Sequence, residues 1–349
     1  AYVVPPYCEA HNHNIGSSPD ATWGIGLYVE RGIYYVKIAG NAALYRPSIA
    51  PALNRAGSVD VSFSNASFTG PGGHPTELPP QLRARHGLYT DIPEFEGAIY
   101  YQIGSAADVD RAMPLFFATD PDFVKIQLLY SDEYERRMSD DQFIGQRGRR
   151  PHLARMIVER SHARGLRVSA HVETAADWRT AIDIGVDEIY HMPSYNAPRR
   201  LTRDDAERAA VAGVDVVTTL SFASVYRDQH PADFERVREA QRENLRLLRD
   251  AGVNLIVGSD NPQATSLEEV LYLRDLAVLS DADLIDMWTT RCARSVFPNR
   301  RVGVLAPSYE ASFLVLEGDP LADFSQTQAI RLRVREGERT LTAETTAKE

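Results

Sequence analysis

The chain has 349 residues, 44% of them hydrophobic and 25% charged, enough to bury one large core or two smaller ones. Its formal charge of −10 argues against a general nucleic-acid or anionic-membrane binder, and no apolar run reaches the roughly 20 residues of a spanning helix. Two cysteines, Cys8 and Cys292, exclude a disulfide-dense scaffold, and Cys8 reads as a small packing residue. The start lacks the basic region and long apolar run of a signal peptide, so the cytoplasm is the favoured compartment, with a processed secreted chain left open.

Taken in chain order, the first expected strand runs from Val3-Val4 into His11, shortened by Pro5 and Pro6, which cannot donate to a ladder. Further β-rich runs follow at 33–38, 59–63, 123–126, 166–170, 188–191, 214–219 and 253–257. Helical patterns at 175–184, 204–212 and 234–249 alternate with them, and Gly165, Gly185, Gly213 and Gly252 mark helix ends just before strands. Strand and helix in eightfold alternation predict an α/β fold, a (β/α)8 barrel over 1–300. Residues 64–104 break the rhythm with Gly70, Pro71, Gly72, Gly73, Pro75, Pro79 and Pro80, and predict a long excursion forming a pocket wall or lid. Residues 301–341 change style to short strands around Glu317-Gly318-Asp319-Pro320, an incomplete small β domain, and 342–349 form a polar tail.

His11 and His13 alternate along a strand and therefore project from one face at its end. Paired imidazoles suit zinc or a neighbouring divalent metal. Candidate partners fall at matching places in the repeat: His171 after the fifth strand, His191 ending the sixth, Asp260 after the eighth. In a barrel, the carboxyl ends of all strands meet at one rim. Lys125 lies inside a strand, where an inward ammonium would be costly and a carbamate would instead be an anionic bridge between two ions.

This ordered set, His11-Asn12-His13, Lys125, His171, His191 and Asp260, resembles the amidohydrolase superfamily, in particular its dinuclear-metal members. The prolidase and imidazolonepropionase-like branch looks nearest, through the stretch Thr69-Gly70-Pro71-Gly72-Gly73-His74, Ala170-His171 and 185–191. The resemblance runs from residue 5 to about 340. It implies that those six residues hold two divalent ions, with zinc expected and Lys125 carboxylated, and that a small amide or peptide is hydrolysed. Asp260 would double as proton carrier, with His74 and Tyr130 as further catalytic candidates and Tyr100, Tyr226 and His230 as substrate contacts. The same centre could serve a lactonase or phosphotriesterase, or a noncatalytic metal-binding scaffold. A homo-oligomer is left open.

Three departures stand out. The chain starts directly at its first barrel strand, where relatives begin with strands of a small sandwich. Ser312 replaces an aspartate before a hydrophobic strand, and Tyr190-His191-Met192 stands where Glu-His-Gly is common. The runs 130–135, 147–150 and Arg199-Arg200 read as solvated surface charge, although paired arginines also suit a carboxylate.

Overall fold

The computed structural model describes residues 2–193, 200–227 and 230–340; Arg199, the side chain of Tyr226 and the tail 342–349 lie outside the described residues. A ring of parallel strands forms the centre: β2 (Tyr7–Asn12), β3 (Ile33–Ile38), β4 (Asp60–Phe63), β5 (Ser67–Thr69), β7 (Val124–Leu128), β8 (Val168–Val172), β9 (Glu188–Tyr190), β10 (Asp215–Val217) and β11 (Asn254–Ile256). The ring closes where the Ala10 amide donates to Val257 O at 2.9 Å and the Asp260 amide to His11 O at 2.8 Å. Helices surround the ring, and the expected helix Ala175–Ile184 forms with those bounds. Thr174 and Asp177 cap its start reciprocally, and Gly185 closes it in the left-handed conformation. No described helix is long and apolar enough to cross a membrane.

Two boundaries differ from expectation. The third barrel strand is kinked at Asn65, which stands at φ 57°, so β4 pairs with β3 while β5 pairs with β7. Part of the 64–104 excursion is therefore barrel wall, and β6 (Tyr100–Gln102) returns to pair with β5. At the other boundary, Pro5-Pro6 splits the expected first strand. Only β2 enters the barrel, while β1 (Tyr2–Val4) pairs antiparallel with β12 (Phe313–Leu316). The expectation that the chain starts directly in the barrel is thus corrected. The small sheet runs β1, β12, β13 (Ile330–Arg335) and β14 (Glu338–Arg339), drawing on both ends of the chain.

This sheet is seated on the barrel by buried polar and aromatic contacts. The Arg335 guanidinium, fully buried, donates to Arg55 O, to Ser58 O and to the Asp60 carboxylate. Arg300 reaches the other Asp60 oxygen at 2.8 Å and Glu310 at 2.5 Å. Tyr7 stacks on Trp288 at 3.7 Å between ring centroids and donates its hydroxyl to Thr327 O.

Cys8 and Cys292 are joined as a buried disulfide, with Cα atoms 5.8 Å apart. The reading of Cys8 as a lone packing residue is corrected. The helix Cys292–Val296 packs against β2, so residues 284 apart in sequence face one another.

Candidate metal centre

β2 delivers His11 and, one step beyond its end, His13, while Asp260 arrives from the loop after β11. Asp260 Oδ1 lies 3.2 Å from Nε2 of both His11 and His13, and those two nitrogens lie 3.2 Å apart. His191 Nε2 is 3.9 Å from the other Asp260 oxygen. The His171 ring sits against that of His191 at 4.4 Å between centroids, and His11 is 5.1 Å from His191. The four expected histidines and the aspartate therefore meet at one rim, although 249 positions separate His11 from Asp260.

Most ring nitrogens on the far side from this meeting point are taken by the protein. His13 Nδ1 is 3.3 Å from Gly40 O, His191 Nδ1 is 2.6 Å from Thr219 Oγ1, and His171 Nε2 is 3.0 Å from Glu173 Oε1. Such bonds fix the ring and leave the opposite nitrogen for an ion. His11 Nδ1, His191 Nε2 and Lys125 Nζ are buried without a hydrogen-bond partner, a cost that a bound ion or ordered water would relieve. Burial pulls the His11 pKa down to about 4 and those of His171 and His191 well below the usual range, so all three are neutral donors at neutral pH. Burial opposes ionisation of Asp260, but His11, His13 and His191 outweigh it and hold the carboxyl well below the ordinary range.

Lys125 projects inward from β7 with its amine 3.8 Å over the face of Tyr190, itself 4.2 Å from the His11 ring. Burial, only partly offset by Asp260 and Glu188, lowers its pKa to about 7. Among the described residues, two groups of imidazoles and carboxylates are compact enough to surround a single ion: His11, His191 and Asp260, and separately Asp60, Glu310 and Glu336. Neither includes a lysine. The second group is threaded by Arg300 and Arg335, whose guanidinium charges already occupy its carboxylates. The first group, with its neutral imidazoles and unpartnered nitrogen, fits a borderline divalent cation.

Around the mouth, His74 stacks over His171 at 5.5 Å, and its Nδ1 is 2.8 Å from Glu77 Oε1. Tyr130 follows β7 at φ 49°, its amide held by Asp177 and its ring covered by the Arg137 guanidinium at 3.3 Å. Tyr100 is buried in the excursion's own apolar cluster with Tyr45, Tyr89 and Ile92. His230 is exposed at the start of the helix Pro231–Asp250. The run 147–150 is not a solvated patch: Arg149 is buried, its guanidinium donating to Phe68 O and, at 3.3 Å, to Gln127 O. There it plugs the gap where β5 and β7 splay apart. In the acidic run, Glu133 and Glu135 are paired with Arg137 and Arg150.

Supporting residues escaped the sequence reading. Glu9 is fully buried and accepts from the Ser259 amide and hydroxyl, both at 2.8 Å, which ties β2 to the turn that carries Asp260. Asn12 donates to the same hydroxyl and accepts from the His13 amide. The alternation Glu9, His11, His13 on one strand was the available signal for Glu9; Thr219 and Glu77 left none short of the folded chain.

Residues 143–332 match the sequence profile of the amidohydrolase family. Among curated proteins none matches. Among solved structures, the ochratoxinase of A. niger superposes with a TM-score of 0.76 at 21% identity, over 97% of this chain and 82% of that one. A prolidase complexed with N-methylphosphonate-L-proline gives 0.73 at 19% identity, over 97% and 87%. A Xaa-Pro dipeptidase with methionine bound in its active site gives 0.73 at 16%, over 97% and 86%.

Proposed function

The chain belongs to the amidohydrolase family of metal-dependent enzymes, and from that premise we propose that it hydrolyses an amide-type bond in a small substrate, with a dipeptide or N-acyl amino acid as the favoured class. The observation that carries this is the convergence of His11, His13, His171, His191 and Asp260 on one rim, with Nε2 of His191 buried there and unpartnered. Those residues, with Lys125 as a carbamate, would hold two divalent ions, zinc being the favoured identity. Such ions supply an acidified water and polarise the substrate carbonyl.

The chain uses lysine at only Lys37, Lys125 and Lys348, and the two described lysines are both buried inside the barrel. Arginine provides the cations elsewhere. An interior amine that can lose its proton and add carbon dioxide is what Lys125 provides and arginine cannot. Asp260 would accept the proton of the attacking water and return it to the leaving nitrogen. His74, its Nδ1 engaged by Glu77, would contact the substrate through Nε2. Tyr130 would orient the substrate, with Tyr100, Tyr226 and His230 as outer contacts. The similarity to prolidase structures supports the peptide class.

The test is metal analysis together with turnover on Xaa-Pro dipeptides, N-acyl amino acids, a lactone and a phosphotriester. Two ions per chain and cleavage of the amides are expected. Asp260→Asn should lower turnover by about 10²–10⁴-fold; near-normal turnover with both ions retained would remove Asp260 as proton carrier. Faster lactone or phosphotriester cleavage would reassign the electrophile, and bound metal without any turnover would leave only a scaffold.

A further inference from the structure

Six of the barrel's eight strand positions frame the rim with expected ligands or with the excursion; β3 and β10 supply none. Yet Thr219, two residues past β10, stands at φ 49° and ψ 32°. Left-handed backbone is uncommon for any residue with a Cβ and a genuine outlier for a β-branched one. Such conformations persist only where the surroundings over-determine them, and they gather at functional sites.

The surroundings of Thr219 do this from three directions. Its amide donates to Gly258 O at 3.2 Å. The buried Glu269 carboxylate, from the helix Ser266–Asp275, accepts the Leu220 amide at 2.8 Å and the Ser221 amide at 2.6 Å. Gln241, itself fixed by the Tyr272 hydroxyl at 2.6 Å, donates to Leu220 O at 3.2 Å. What this frame presents is one atom: Thr219 Oγ1, 2.6 Å from His191 Nδ1. The opposite nitrogen of that ring, Nε2, is buried, unpartnered and 3.9 Å from Asp260.

We propose that Thr219 is a positioning residue for the metal centre: its hydroxyl accepts Nδ1–H of His191, which fixes the tautomer whose Nε2 lone pair faces the ion, and Glu269 and Gln241 hold the strained turn that places it. This rests on the reading of His191 as a metal ligand. β10, one of two strands without an expected ligand, thereby contributes orientation in place of coordination.

The test compares Thr219→Val, which keeps the branched shape and loses the acceptor, with Thr219→Ser, which keeps the acceptor and sheds the branch. His191→Ala serves as control. Zinc or cobalt titration of the metal-free chains reads the affinity of each ion, and thermal unfolding of the same metal-free chains reads the fold. The valine chain should bind one of its two ions about 10–100-fold more weakly, with its metal-free melting temperature within a few degrees of wild type; the serine chain should bind close to wild type. Wild-type affinity in the valine chain, while His191→Ala loses an ion, overturns the proposal alone. Equal weakening by valine and serine, or a metal-free melting temperature that falls in step with affinity, overturns it as well. If His191→Ala keeps both ions, the ligand reading fails and takes the proposal with it. Should the valine chain not fold, Thr219→Gly, which accepts φ 49° freely, carries the same comparison.

Discussion

Asp260 closes the barrel through its amide, binds between His11 and His13 through its carboxylate, and stands at φ 49°. His191, at φ 73°, and Thr219 show the same departure at neighbouring strand ends. At these three strand ends the left-handed backbone turns side chains over the rim. Lys125 gives this scale its prediction. Its pKa is about 7 in the fold against 10.5 for the free side chain. Between those values the unfolded chain binds a proton that the folded chain does not, so stability of the metal-free, carbon-dioxide-free protein should rise with pH there, by up to about 1.4 kcal/mol per unit. Below about pH 7 both states hold the proton and the contribution is gone. Lys37, whose pKa burial also lowers despite its pairing with Glu188, adds a slope of the same sign. The quantity to measure is therefore the difference between wild type and Lys125→Met in denaturant titrations from pH 7 to 9.5. Identical slopes would show that the Lys125 amine is not desolvated.

At the scale of elements, the excursion after β5 meets the 147–150 run through closely approaching backbone. A Cβ at Gly70 would lie 1.8 Å from Gly148 O, and one at Gly148 would lie 2.1 Å from Leu129 O. Gly70→Ala should therefore lift the loop that bears His74 away from His171. The expected outcome is metal content unchanged, with kcat/KM reduced about tenfold or more, because a misplaced catalytic group is costly even far from the bond. The Cys8–Cys292 disulfide joins β2, the strand of the first two candidate ligands, to the helix Cys292–Val296. It closes nearly the whole chain into one loop, so Cys8→Ser with Cys292→Ser should cost about 2–5 kcal/mol of stability. Chemical unfolding under oxidising conditions measures this, and no loss would mean that the pair forms too little of the time to constrain the unfolded chain.

Across the whole molecule, two bodies are joined by Asp60, Arg300, Arg335 and Glu310. Removing one member of a buried charge pair leaves the other uncompensated. Asp60→Ala should thus destabilise by about 3–5 kcal/mol, while Asp60→Leu with Arg335→Met should be much milder. Equal damage from both, read by urea unfolding, would mean that packing and not charge joins the two bodies.

The barrel was legible in the alternation of strand and helix, and its candidate ligands in their recurrence at strand ends, because period and position are local properties of a chain. His11, His13, His171, His191 and Asp260 could be placed on one rim by that logic alone. The kink at Asn65 and the break at Pro5-Pro6 shifted boundaries, since where a strand pairs depends on neighbours distant in sequence. Arg149 reads as surface charge until the splay of β5 from β7 gives it buried carbonyls to bind. Pattern and spacing indicated the fold class, and the resemblance of the ordered ligand candidates to a known family implied the chemistry of the site. The disulfide, the membership of β1 in the small sheet, and the Glu9 and Thr219 supports were decided only by tertiary structure, because each depends on distances between residues that sequence order does not constrain.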